Sequence, residues 1–131
     1  MRSTWKRASI WGKEFVFVKS FRKIKDHDNM IVFNTTFHVE EEIREEFVEY
    51  MLRHFIPMST KSGLLTSPRL SRVFGKEEGA GHSFAMEFQA VDLTALERWN
   101  SEESGAVYAP LLEKFKEKMA GFSTVMQTIS G

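Results

Sequence analysis

Histidines are the residues of this chain best suited to chemistry, because an imidazole can bind a metal or move a proton near neutral pH. There are four of them: His27, His38, His54 and His82. Their spacing puts no two on one helix face, and neither a His-Glu-x-x-His motif nor an aspartate-rich calcium loop occurs. The chain also lacks cysteine, which removes thiolate ligands, a cysteine nucleophile and disulfides. We therefore expect no metal site and no cofactor.

Two short motifs suggest chemistry at first sight. Gly79-Ala80-Gly81 resembles a phosphate cradle, but it leads into a predicted strand, whereas a cradle presents the amides of a helix N-terminus. No serine lies in a Gly-x-Ser-x-Gly elbow. The glycines therefore predict a turn, and the motif search supports no particular reaction.

Polar side chains that alternate along the predicted strands are the better candidates for a site. They share one face of a sheet with apolar neighbours, and a mostly apolar surface with a few polar groups is typical of a small-molecule site. A tryptophan at helical spacing could line a pocket on the other side. The ligand-binding candidates are Asn34, Thr36, His38, Arg69, Glu87, Gln89 and Trp99.

Each candidate also has a purely structural interpretation. His38 could act as a base near Asn34, or it could be a solvated strand residue. Arg69 and Glu87 could grip a ligand, or they could form a cross-strand ion pair. Trp99 has the spacing of a core aromatic. The sequence leaves these alternatives open.

Residues 30–129 read as strand, helix, strand, strand, helix, strand. Alternation predicts strands at 30–39, 69–74, 83–91 and 122–129. The first helix follows Glu40 and ends at Pro57, and the second begins at Asp92 or Thr94 and continues to Gly121 with a loop at 104–105. Right-handed crossovers then place both helices on one side of a four-stranded antiparallel sheet in the order 4-1-3-2. The predicted fold is ferredoxin-like α+β in a single domain.

The sheet faces follow from the same alternation. The predicted helix-facing residues are Ile31, Phe33, Phe37, Leu70, Phe74, Phe84, Met86, Phe88, Phe122 and Met126. The opposite face is predicted to carry Val32, Asn34, Thr36, His38, Arg69, Ser71, Val73, Ala85, Glu87, Gln89, Val125, Gln127 and Ile129. The second set is too apolar for open solvent and too polar for a dry core. A two-fold homodimer that pairs two such faces is the commonest solution.

The net charge of zero hides two unlike parts. Residues 1–29 hold eight basic and three acidic residues, a balance of +5, and residues 30–131 hold ten basic and fifteen acidic, a balance of −5. The basic leader could be a nucleic-acid or membrane arm. We expect instead a poorly ordered leader, or one translated from an early start codon, with 14–18 as a further edge strand. The acidic balance of the domain argues against nucleic-acid binding. No run of 18 apolar residues and no signal peptide occurs, which predicts a protein that does not span a membrane. The absence of cysteine fits a reducing cytoplasm, where we expect the protein to be.

Five segments carry a resemblance to a known family: residues 30–36 (MIVFNTT), 54–63 (HFIPMSTKSG), 67–74 (SPRLSRVF), 96–99 (LERW) and 121–126 (GFSTVM). They resemble an uncharacterised bacterial family catalogued as domain of unknown function 4286, over about residues 30–129. The resemblance implies a ferredoxin-like fold related to the dimeric α+β barrels, in members that begin near Met30. It implies no established activity, and the fold alone warrants none.

Three functions from different classes remain open. The first, which the residues favour, is a homodimeric module that binds a small molecule or regulates. The second is a cofactor-free enzyme of monooxygenase or isomerase type that uses Asn34, His38 and Trp99. The third is a protein-interaction module, or one for nucleic acid acting through the leader.

Overall fold

A four-stranded antiparallel sheet forms the centre of the fold. The computed structural model describes residues 3–10, 13–21, 30–75 and 81–130. Strands β1 (Ser3–Ile10) and β2 (Lys13–Phe21) pair in a sheet of their own. The strands β3 (Ile31–Val39), β4 (Thr66–Val73), β5 (His82–Ala90) and β6 (Met119–Gln127) follow in the spatial order β4-β5-β3-β6. The predicted ferredoxin-like α+β order is therefore confirmed.

The basic leader, residues 1–29, contains the strand that the sequence predicted, but this strand pairs differently from the prediction. The strand predicted at 14–18 lies within β2, but it pairs with β1 and not with the edge of the four-stranded sheet. Residues 1–2, 11–12 and 22–29 lie outside the described residues. A leader without function therefore stays a prediction.

The first helical segment runs farther than the sequence predicted. A 3-10 turn (Glu41–Ile43), helix α1 (Arg44–Tyr50), a π-helix (Met51–Phe55) and helix α2 (Ile56–Thr60) follow one another without a loop. The prediction that Pro57 ends the helix is wrong. In the π-helix the Ile56 N–H donates to the Met51 carbonyl, and a new α-helical ladder begins at Ile56. Pro57 then lies in a first turn, where its missing N–H costs no hydrogen bond.

The second helical segment consists of helices α3 (Leu93–Glu102) and α4 (Ser104–Phe115), followed by a 3-10 turn at Lys116–Lys118. Asp92 is the N-cap, since its Oδ1 accepts from Ala95 N at 2.8 Å. The predicted interruption at 104–105 occurs one residue earlier, at Glu103. Among the described residues no helix is long and apolar enough to cross a membrane.

The core lies between the sheet and these helices. Inner residues of the central strands, such as Phe33 and Phe37, are at most 1% exposed and pack on helical aromatics. The ring centroids of Phe37 and Phe47 lie 5.4 Å apart, and those of Phe55 and Tyr108 lie 5.5 Å apart. Burying one such side chain contributes about 1.5–3 kcal/mol, so this cluster dominates stability.

The last strand has the opposite phase from the prediction. Val125 pairs with Phe33 and Ser123 pairs with Thr35, which places both on the helix-facing side. Phe122 and Met126, predicted to be core, are 62% and 43% exposed on the other side. The predicted strand also ended too late, since Ile129 lies beyond β6. Met119 opens β6 and is 3% exposed, so the inward phase runs through odd-numbered residues.

One inner assignment on β4 also fails. Phe74, predicted to face the helices, lies just past the end of β4 and is 78% exposed. Leu70 opposite Met86 keeps the predicted inward position. The strand begins earlier than expected because an irregularity between Thr66 and Arg69 accommodates Pro68.

Candidate functional site

Six of the seven predicted site residues lie together on the sheet surface turned away from the helices, which we call the open face. The pairing that brings them together joins Asn34 to Glu87 and Glu87 to Arg69, so these three form one row across β3, β5 and β4. Val32 pairs with Gln89 and Thr36 with Ala85 in the flanking rows. The candidates on this face are Asn34, Thr36, His38, Arg69, Glu87 and Gln89.

The row at Glu87 carries both signs of charge. Arg69 Nε lies 3.8 Å from Glu87 Oε1, with the Arg69 side chain 75% exposed and that of Glu87 33% exposed. Such an exposed pair contributes at most about 1 kcal/mol. Beside it, Asn34 Nδ2 donates to Thr36 Oγ1 at 3.2 Å. The weak pairing leaves these groups able to accept other partners.

His38 lies at the edge of the open face with its ring held on two sides. Its Nδ1 is 3.1 Å from Ser83 Oγ. A Cβ added at Gly81 would lie 2.6 Å from His38 Nε2 and 2.8 Å from the Val39 carbonyl, and Gly81 has φ +122°. Only glycine fits that position without strain. The backbone at Gly81 therefore fixes where this imidazole can be.

Apolar residues complete the open face. Phe122 pairs with Thr36 and Met126 pairs with Val32, so both flank the polar row from the edge strand β6. Their exposed side chains give the open face an apolar edge beside its polar row. Both were predicted to face the helices, because the alternation along β6 has the opposite phase from the one expected.

Trp99 is not part of this assembly. It is fully buried under the other side of the sheet, with its ring centroid 5.9 Å from that of Phe33. Its Nε1 donates to the Ser59 carbonyl at 3.0 Å. The structure gives Trp99 the position of a core residue that ties α3 to α2.

A second polar cluster joins three elements at one end of the sheet. Arg72 Nη2 lies 2.8 Å from His82 Nδ1, and His82 Nε2 contacts Glu41 Oε1. Arginine can only donate, so Nδ1 accepts and Nε2–H donates to the carboxylate. This hydrogen bond is the main reason that the pKa of Glu41 is lowered from its ordinary value. No sequence spacing indicates the cluster, because its members come from β4, β5 and the first helical turn.

Three hydroxyls meet inside the core. Thr35 Oγ1 lies 2.7 Å from Ser123 Oγ and 3.5 Å from the Tyr108 hydroxyl. Burial raises the pKa of Tyr108 to about 12. A phenol this hard to ionise is a poor base at neutral pH, so we assign this cluster to structure rather than catalysis.

Comparisons with known proteins support the fold. No curated protein is similar enough to count as a relative. A dimeric ferredoxin-like protein from an uncultured marine organism is 15% identical, covers 79% of this chain and 99% of its own, and has a TM-score of 0.59. A NIPSNAP family protein of unknown function from Agrobacterium tumefaciens is 12% identical over 78% of this chain and 90% of its own, with a TM-score of 0.56.

A third structure carries a functional name. It is a candidate antibiotic biosynthesis monooxygenase from Bacillus cereus, 15% identical over 79% of this chain and 96% of its own, with a TM-score of 0.52. At this identity the likeness concerns the fold alone. The family model described as Domain of unknown function (DUF4286) matches residues 30–129, and the chain belongs to that family.

Proposed function

We propose that this protein is a homodimeric module that binds a small molecule between two open faces and serves a binding or regulatory role. One observation carries the proposal. The open face places exposed Phe122 and Met126 beside the polar row of Asn34 and Glu87. Covering this face would bury the apolar edge and enclose the polar row.

A second copy of the chain suits this surface. The row at Glu87 holds one cation and one anion, Arg69 and Glu87, so two facing copies need not repel each other. Apolar burial supplies the driving force, at about 25 cal/mol per Å² removed from water. The fold is shared with a protein described as a dimeric ferredoxin-like protein. That likeness supports the proposal without identifying a ligand.

The enclosed polar groups would then form a ligand cavity. Asn34, Thr36 and Glu87 project from two adjacent central strands, which are rigid elements, and their mutual hydrogen bonds are few. The apolar residues Val32 and Ala85 lie next to them on the same face. This mixture is typical of a small-molecule pocket.

Oligomeric state tests the dimer. We expect the wild type to be dimeric in light scattering and Phe122→Asp to be monomeric, because an unpaired carboxylate would be buried in the seam at a cost of several kcal/mol. Leu52→Asp is the matched control, since Leu52 is 55% exposed on the helical layer. A wild type that stays monomeric at high concentration, or equal behaviour of both variants, would refute the dimer.

A thermal-shift screen of a metabolite library tests the ligand. We expect Asn34→Ala and His38→Ala to keep the wild-type melting temperature and dimer while losing the shift given by the hit. These residues could instead only hydrogen-bond to one another and to trapped water at the dimer interface. Both variants should then lose roughly 1–3 kcal/mol of stability and melt at a lower temperature, and no metabolite should shift the melting temperature of the wild type. That pattern would leave the dimer standing and exclude the ligand.

A further inference from the structure

A groove on the helical layer lies apart from the open face. It runs between the end of α2 and the junction of α3 with α4, and its volume is about 490 Å³. Its apolar lining residues, which we call the floor, are Met58, Ala106 and Val107. A cleft of roughly 300–1,000 Å³ is the usual size of a small-ligand site. The groove is therefore large enough for a metabolite.

The rim of the groove carries charges of both signs. Lys61 lines one side, and Glu102 and Glu103 line the other. Glu102 is already engaged, since Arg98 Nε lies 3.2 Å from its Oε1 and 3.3 Å from its Oε2. Lys61 and Glu103 have no ion pair within the part of the chain that the structure describes. One cation and one anion thus remain uncommitted above the same apolar floor.

The break between the two helices holds Glu103 in place. Its backbone N–H donates to the Trp99 carbonyl at 2.8 Å, and its own carbonyl accepts from Val107 N at 3.2 Å. The carboxylate is therefore attached to a backbone fixed on both sides. The backbone that carries this carboxylate therefore needs little reordering when a ligand binds.

We propose that this groove binds a free α-amino acid with an apolar side chain. Lys61 receives the ligand carboxylate, Glu103 receives its ammonium group, and Met58, Ala106 and Val107 contact the side chain. A neutral apolar ligand would desolvate both charges without replacing their water. A ligand with one charge would leave the other rim residue uncompensated. A zwitterion with an apolar side chain pairs with the charged residues on both sides of the rim and contacts the apolar floor.

Calorimetry with three matched probes tests the charge pattern on the full-length protein. L-leucine carries both groups, 3-methylbutylamine lacks the carboxylate, and 4-methylpentanoate lacks the amine. We expect leucine to bind at least about tenfold more tightly than either analogue, because a hydrogen bond to a charged group is lost in each case. Equal binding of all three, or no binding of leucine at millimolar concentration, overturns the proposal.

Two substitutions assign the contacts. Lys61→Met should make leucine and 3-methylbutylamine bind alike, and Glu103→Gln should make leucine and 4-methylpentanoate bind alike. Glu113→Gln and Lys116→Met remove an exposed ion pair outside the groove, with Nζ and Oε2 3.6 Å apart, and should change nothing. Methyl chemical shifts of Met58 and Ala106 give a second measurement. Leucine binding that leaves those methyls unmoved, or that neither substitution weakens, rejects the site.

Discussion

The Tyr108 hydroxyl and Thr35 Oγ1 lie 3.5 Å apart in the core, although 73 residues separate them in sequence. Thr35 also contacts Ser123, so one hydroxyl of β3 joins α4 to β6. A threonine on the inner face of a central strand would otherwise be an unfavourable buried polar group. The relationship explains why Thr35 can be 2% exposed among phenylalanines.

This network predicts unequal costs for removing its members. We expect Tyr108→Phe to lower the free energy of unfolding by about 1 kcal/mol, since it deletes one of the three hydroxyls. Thr35→Val should cost more, because Tyr108 and Ser123 both lose a shared partner. Urea unfolding of the two variants measures the difference. A Thr35→Val variant as stable as the wild type would show that the hydroxyls contribute nothing.

The raised pKa of Tyr108 predicts that the protein loses stability at alkaline pH. Burial raises the pKa of Tyr108 from 10.0 to about 12 in the folded state. A raised pKa gives stability that is fully present below 10.0 and is lost as the pH rises toward 12. The loss should be roughly 2–3 kcal/mol. Tyrosinate absorbance of Tyr50→Phe isolates this residue, and its ionisation should coincide with unfolding. Ionisation near 10 in a folded protein would contradict the prediction.

Acid should weaken the contact between Glu41 and His82. The pKa of Glu41 is lowered in the folded state, chiefly by the His82 hydrogen bond. Its contribution is therefore present above the ordinary value of 4.5 and is lost as the pH falls through the folded-state pKa. We expect Glu41→Gln to reduce the urea midpoint at neutral pH and to match the wild type in acid. Exposed Glu117→Gln is the control, and an equal effect of both would exclude the contact.

The cap of α3 can be tested against its sequence alternative. Asp92→Ala removes the acceptor for Ala95 N and should cost about 1 kcal/mol. Thr94→Ala should be close to neutral, because Asp92 already fills the capping position. Asp92→Asn keeps an oxygen acceptor and should restore most of the stability. Thermal melts of the three variants decide whether the cap has been assigned correctly.

The leader can be tested by deletion. A chain that begins at Met30 retains all four strands of the main sheet and every core residue whose burial the structure describes. We expect its melting temperature to stay near that of the full chain. A fall of more than ~10 °C would correspond to well over 1 kcal/mol for a domain of this size. Such a fall would make residues 1–29 part of the stable fold.

The order of elements and the Arg69–Glu87 register were predictable because alternation, helical spacing and crossover handedness all constrain them. The phase of β6 was not predictable in the same way. Both faces of β6 carry apolar groups, Phe122 and Met126 on one and Val125 and Met119 on the other. The prediction was wrong because it placed the larger pair, Phe122 and Met126, in the core. Assigning Met119 to the strand instead of the helix would have corrected it.

The residues of the candidate site were likewise predictable only where they lie on one face of a strand. Residues that share a strand face were found, because period two places them together without knowledge of the tertiary fold. The cluster of Glu41, Arg72 and His82 was missed, since three separate elements must pack before those side chains meet. The rim of the helical groove was missed for the same reason.

The π-helix before Pro57 links the number of residues in this helical segment to the presence of the proline. Its extra residue ends one hydrogen-bond ladder and lets the next begin at Ile56, where a proline is tolerated. Deleting one residue within 51–55 would restore a continuous α-helix but place Pro57 in its interior. Deletion and Pro57→Ala should therefore compensate each other.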